Sequence, residues 1–196
     1  MKPIRCSLLA LLTVSCAHAP PAPAAPPPVA ATPGRAEAMA KLSFMRGVWA
    51  GPASGTTMDG KPFHVWQTER MGPLLGGDVL LVEGRGYKDD DTTGFNAFAV
   101  VSYDPRSSQY EIRSYAMGQA GTFPLTPTPD GYVWTIPAGP GRTLRYTAVV
   151  KDGVWNEVGN LLMEGKPPVR TFEMTLHRVG DTDWPGAGQV SPRAGR

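Results

Sequence analysis

From Gly47 onward, apolar and polar side chains alternate in short runs of period two, and each run is bounded by Gly, Pro, Asp or Ser. Period two sends successive side chains to opposite faces of a strand, so each run reads as a strand with one buried face. Nine runs qualify, at 48–51, 63–70, 79–87, 95–103, 110–116, 132–136, 144–150, 154–163 and 169–178, and a further short strand near Thr122 makes ten. Asp104-Pro105, Asp130-Gly131 and Lys151-Asp152-Gly153 fall between runs and supply hairpin turns, so consecutive strands run antiparallel. The pattern predicts an all-β fold, an antiparallel up-and-down β-barrel of about nine to ten strands; closure is favoured over a sandwich because it removes exposed edges. One segment departs from period two: within 37–46, Met39, Leu42 and Met45 lie at helical spacing and predict a single short amphipathic helix ahead of Gly47.

Before that helix the chain has a different character. Lys2 and Arg5 precede an apolar stretch at 7–14, which has the length of a signal-peptide core and is too short to span a bilayer. Thr13-Val14-Ser15-Cys16 resembles a bacterial lipobox, in which small residues precede a Cys that is acylated and becomes the mature terminus; Thr13 departs from the Leu preferred there. The alternative is cleavage after Ala17-His18-Ala19, but Pro20 would then follow the cut and hinder the peptidase. Seven prolines between Pro20 and Pro33, mixed with Ala, make an extended spacer with neither core-forming side chains nor free amides. The chain therefore divides into a signal peptide at 1–15, a tether at 16–35 starting from lipidated Cys16, a barrel at 36–180 and a disordered tail at 181–196. The expected location is the bacterial cell envelope, as an outer-membrane lipoprotein facing the periplasm and bound to the membrane through its lipid. Ala17 and His18 lack the acidic residue that retains some lipoproteins at the inner membrane.

Charge and cysteine count narrow the function. The formal charge of +2 belongs to the leader: without Lys2 and Arg5, 17 basic residues face 17 acidic ones. No basic run with interleaved aromatics is present, so nucleic acid is not an expected partner. Cys6 and Cys16 are the only cysteines and neither belongs to the barrel, which excludes disulfides, thiol catalysis and cysteine metal sites there.

Phe44-Met45-Arg46-Gly47-Val48-Trp49 resembles the short helix and Gly-x-Trp start of calycin barrels, the lipocalin and fatty-acid-binding group. That resemblance implies that Trp49 plugs one end of the barrel and that an Arg near the end of the last strand, here Arg178, lies over its indole. Leu74-Leu75-Gly76-Gly77, Ser102-Tyr103-Asp104 and the strand at Tyr110 look like the domain-of-unknown-function 1579 group. The resemblances imply a hollow barrel that binds a small apolar or amphipathic molecule.

Alternation nominates its wall. Trp155 and Glu157 share a face, as do Phe172, Met174 and Leu176; in the strand at 63–70 the parity is ambiguous, so one of Glu69 and Arg70 faces inward. The candidate ligand contacts are Trp66, Glu69, Phe98, Trp134, Tyr146, Trp155, Glu157 and Phe172. An inward Glu157 needs a partner or a proton; the ordinary reading is an ion pair with Arg70, Arg113 or Arg145, and the functional reading is a ligand anchor. A filled barrel acting as a protein-interaction module, and an isomerase or hydratase using Glu69 and Glu157, are the alternatives to a non-catalytic binder.

No cofactor is expected. Nitrobindin-like barrels hold haem through a His on the final strand, but alternation turns His177 outward. Asp89-Asp90-Asp91-Thr92-Thr93-Gly94 begins like a calcium loop, yet its twelfth position is Val100 rather than Glu, and it reads as a solvated turn. Gly84-Arg85-Gly86 lacks the third Gly and the helix of a dinucleotide motif, and no Gly-x-Ser-x-Gly elbow occurs.

Overall fold

In the computed structural model, which describes residues 34–57, 59–186 and 190, the alternating runs form one sheet of ten antiparallel strands closed into a barrel. The strands are β1 (Gly47–Thr56), β2 (Pro62–Leu74), β3 (Val79–Tyr87), β4 (Thr93–Asp104), β5 (Gln109–Ala116), β6 (Gln119–Thr128), β7 (Gly131–Pro137), β8 (Arg142–Lys151), β9 (Val154–Met163) and β10 (Val169–Gly180). Each pairs with its neighbours in sequence, and β10 closes on β1 through pairs such as Trp49 with Arg178 and Ala53 with Met174. The expected all-β, up-and-down barrel is therefore the fold. The segments read from the sequence as a signal peptide and a tether, Cys16 included, lie outside the described residues except for Gly34 and Arg35.

Several strands run past the ends that the sequence suggested, because prolines sit inside them. β1 continues through Pro52, where the ladder to β10 has no partner between the Ala50–His177 and Ala53–Met174 pairs, so a missing amide removes nothing. β2 continues through Pro73, and β6 holds Pro124 and Pro127 where only a short strand near Thr122 was expected. The tight β8–β9 turn is as expected: Asp152 and Gly153 both take positive φ, 54° and 75°, the backbone a two-residue hairpin needs.

The predicted helix at 37–46 is instead α1 (Arg35–Ala40) followed by a single 3₁₀ turn at Ser43–Met45. Leu42 leaves helical geometry, with φ −103° and ψ 11°, and the break drops Leu42 and Met45 into the end of the barrel beside Met39. All three are buried there with Trp49, Met71, Val101, Trp155 and Leu176. Trp49 plugs this end: its indole N–H donates to Met45 O at 2.9 Å and its ring meets Trp155 edge-on at 5.9 Å. Such an edge-on pair adds about 0.5–1.5 kcal/mol beyond burial.

Toward the other end, inward side chains keep accessible surface. Ladder parity sends Phe123, Trp134, Tyr146 and Phe172 inward, yet each keeps part of its surface accessible, as do inward Ala97, Ser114 and Ala116. A ten-strand barrel is wider than the eight-strand kind that side chains just fill, and the inward residues of β4 and β5 at this end are small.

Residues 181–186, assigned to a disordered tail by the sequence, instead lie back on the outside of β2. The Trp184 carbonyl sits where a Cβ on Gly72 would be, and the Arg70 guanidinium lies 4.5 Å over the Trp184 ring. Two substitutions test the division between plug and outer surface. Trp49→Ala should lower unfolding free energy by about 3–5 kcal/mol in guanidinium titrations, whereas Trp66→Ala, at a 56 % exposed position, should change it by less than about 0.5 kcal/mol.

Candidate ligand site

The polar side chains of the interior sit where its packed half meets its open half. On β2, Gln67, Glu69 and Met71 face inward, against Gly86, Gly84 and Val82 of β3. Gly84 is required here, because a Cβ would stand 2.5 Å from Glu69 Oε1; its absence lets the carboxyl lie over the neighbouring strand. Gln67 Nε2 donates to Glu69 Oε1 at 2.7 Å. Glu69 lies deep among protein atoms yet keeps accessible surface, as a side chain on the wall of an internal space does.

Across the barrel, Glu157 on β9 accepts from the Tyr132 hydroxyl at 2.6 Å and from Trp134 Nε1 at 3.3 Å. Trp155 Nε1 lies close enough to this carboxyl to favour its charge, but is buried without a hydrogen bond of its own. Above Glu157 runs an aromatic wall: Phe123 to Trp134 at 6.1 Å, Trp134 stacked on Tyr146 at 4.6 Å, and Tyr146 to Phe172 at 6.0 Å. Tyr146 and Phe172 meet across β9 only because Gly159 stands between them; a Cβ there would approach them to 2.8 and 3.0 Å.

Burial governs the electrostatics. It pushes the Glu69 carboxyl up to about 8 from an ordinary 4.5, against the Gln67 amide, and the negative charge of Glu157 adds to the rise. Burial also raises Glu157, while Tyr132, Trp134 and Trp155 pull it back. The two carboxyls thus feel each other through one interior.

Arg70, Arg113 and Arg145 do not neutralise them. Arg70 faces outward to Glu83, Arg113 lies 5.9 Å over Tyr115 on the outer face, and Arg145 is exposed opposite Thr135. The expected ion pair with Glu157 is therefore absent for all three candidates, and the reason is parity: each stands one position away from an inward residue. Such a site can bind a donor or a cation, or exchange a proton with a bound molecule.

The structure gathers Glu69, Trp134, Tyr146, Trp155, Glu157 and Phe172 inside the barrel. Trp66 and Phe98 do not join them. Trp66 pairs with Pro52 and Tyr87, and Phe98 with Glu83 and Tyr115, all on the outward parity, so these rings border surface grooves. Arg178 lies across Gly47 and pairs with Asp181; no stacking on Trp49 occurs among the described residues. Sequence reasoning missed Gln67 and Tyr132, although each shares the parity of a residue it did nominate, Glu69 and Trp134. His177 and His64 are exposed on the outer face, and no three metal-ligating side chains converge among the described residues.

No family model matches the chain, and no curated protein does. Among solved structures it is similar to Rv2717c from M. tuberculosis, at 15 % identity and a TM-score of 0.55, over 76 % of this chain and 98 % of that one. The likeness is one of fold, a closed antiparallel barrel. The S-type phycobiliprotein lyase CPES from Guillardia theta also matches, at 10 % identity and a TM-score of 0.47, over 74 % of this chain and 93 % of that one. At 15 % identity the likeness to Rv2717c concerns architecture alone.

The raised carboxyls make stability depend on pH. Between about 4.5 and 8 the folded chain holds a proton at Glu69 that the unfolded chain has released, so stability falls as pH rises through that window and levels off above it. The slope from one such group reaches at most about 1.4 kcal/mol per pH unit. Melting temperatures measured from pH 5 to 8.5 should fall for the native chain and fall less for Glu69→Gln; an equal fall in both removes Glu69 as the cause.

Proposed function

We propose that this chain is a cell-envelope lipoprotein whose calycin-like barrel binds, without catalysis, a small apolar or amphipathic molecule in its open half. One observation carries the binding reading: the inward aromatic wall of Phe123, Trp134, Tyr146 and Phe172 keeps accessible surface, whereas the inward residues at the plugged end keep almost none. Aromatic surface left open above a polar floor suits a ligand with an apolar body and one polar end.

The envelope reading is supported by Lys2, Arg5, the short apolar stretch, Cys16 and the proline-rich spacer. In a bacterial host, metabolic labelling with an alkyne fatty acid should mark the native chain and leave Cys16→Ala unmarked. Equal labelling of both would remove the anchor.

A protein-interaction module is the second reading. It is favoured by Phe98 on β4, Tyr115 on β5 and Met117 in the turn after β5, which stand 37 %, 44 % and 66 % exposed and border one surface groove. Titration with the neutral fluorophore N-phenyl-1-naphthylamine separates the two. Trp134→Ala and Phe172→Ala should each weaken binding by about fivefold to tenfold, while Trp66→Ala and Phe98→Ala leave it unchanged. Loss on the outer substitutions alone would overturn the interior site.

A further inference from the structure

We propose that the interior site selects an organic cation, a protonated amine on an apolar or aromatic body, whose ammonium group lies between Glu69 and Glu157. This rests on the binding reading above and names the chemical class of ligand.

The first argument is the distribution of charge. Two carboxyls face the interior, and among the described residues no basic side chain faces them. The outer face pairs its own charges, as Arg70 and Arg85 do with Glu83. A buried carboxylate served only by neutral donors has its hydrogen bonds but not its counter-charge. In this barrel the charge is relieved either by a proton, as at Glu69 below about pH 8, or by a cationic ligand, whose arrival would release that proton.

The second argument is the surroundings of that charge. Trp134 donates to Glu157 through Nε1 while its ring stacks on Tyr146, so indole, phenol and carboxylate form one corner. Aromatic faces attract cations and offer nothing comparable to anions. An anionic head would instead meet two carboxyls, and a neutral alcohol would leave the charge as it was.

The third is Trp155. Its Nε1, on a side chain only 2 % exposed and facing the same interior, has no hydrogen-bond partner. It lies near Glu157 and Tyr132 without a well-aligned bond, so this third donor beside the carboxyl, like the other two, favours its charge without neutralising it.

The experiment displaces N-phenyl-1-naphthylamine from the full chain at pH 7 with dodecylammonium, dodecanol and dodecanoate, each below its micelle concentration. Dodecylammonium should bind about tenfold or more tightly than dodecanol, with dodecanoate weakest. Glu157→Gln and Glu69→Gln should each shrink the ammonium-to-alcohol ratio to within about threefold. Melting curves show which variant is folded; if Glu157→Gln is not, Glu69→Gln supplies the same ratio. If dodecanol displaces as well as dodecylammonium, or the ratio survives both substitutions, the cation preference is overturned while the binding barrel stands. If neither the fluorophore nor any of the three binds, the binding reading falls and this inference with it.

Discussion

Closing ten strands into one sheet leaves each strand a single choice, which of its two faces points inward, and every other property of this molecule depends on those choices. A slip of one residue would exchange the two faces of a strand completely. On β2 the choice puts Gln67, Glu69 and Met71 inside and His64, Trp66 and Arg70 outside. On β9 it aligns Trp155, Glu157 and Gly159 with Leu176, Met174 and Phe172 of β10. The plug, the aromatic wall and the two carboxyls are products of the same parity, read at different heights along the barrel.

That parity was legible where one face is plainly apolar. Phe172, Met174 and Leu176 mark the interior face of β10, and with it the alternation of β9 points to an inward Glu157. β2 was not legible, because Phe63, Val65, Gln67 and Glu69 are no more apolar than His64, Trp66, Thr68 and Arg70; only pairing with glycines on β3 settles it. Trp66 and Phe98 misled for a related reason. A large aromatic side chain normally signals burial, and the ladder, which pairs residues distant in sequence, overrode that signal at both positions. The length of β1, β2 and β6 was hidden by prolines, which are tolerated wherever a ladder bond is not needed. The break at Leu42 was hidden as well, since helical spacing of Met39, Leu42 and Met45 says which side chains are buried but not that the backbone must turn to bury them.

The partition of charge follows from the same geometry and sets stability against function. Arginines on the outer face find carboxylates under solvent, where such pairs contribute little to stability. The inner carboxyls find only amide, phenol and indole groups, which hold them in place without neutralising them. A chain selected for stability alone would fill these positions with leucine or methionine, as the plugged end does. Groups that disfavour the empty folded state are the ones whose electrostatics a bound molecule can relieve.

The segment after β10 has a consequence for how the barrel holds its seam. β1 pairs with β10 at one edge and β2 at the other, so the contact that completes the ring joins the two ends of the folded chain, Val48 to Gly180, and is the last to gain from local connectivity. By turning back beyond Gly180 to set Trp184 against Gly72 and Arg70, the chain reaches past β1 to the strand on its far side. A polypeptide that cannot tie its ends covalently, having no cysteine in this part of the sequence, has in this way laid a strap over its own suture.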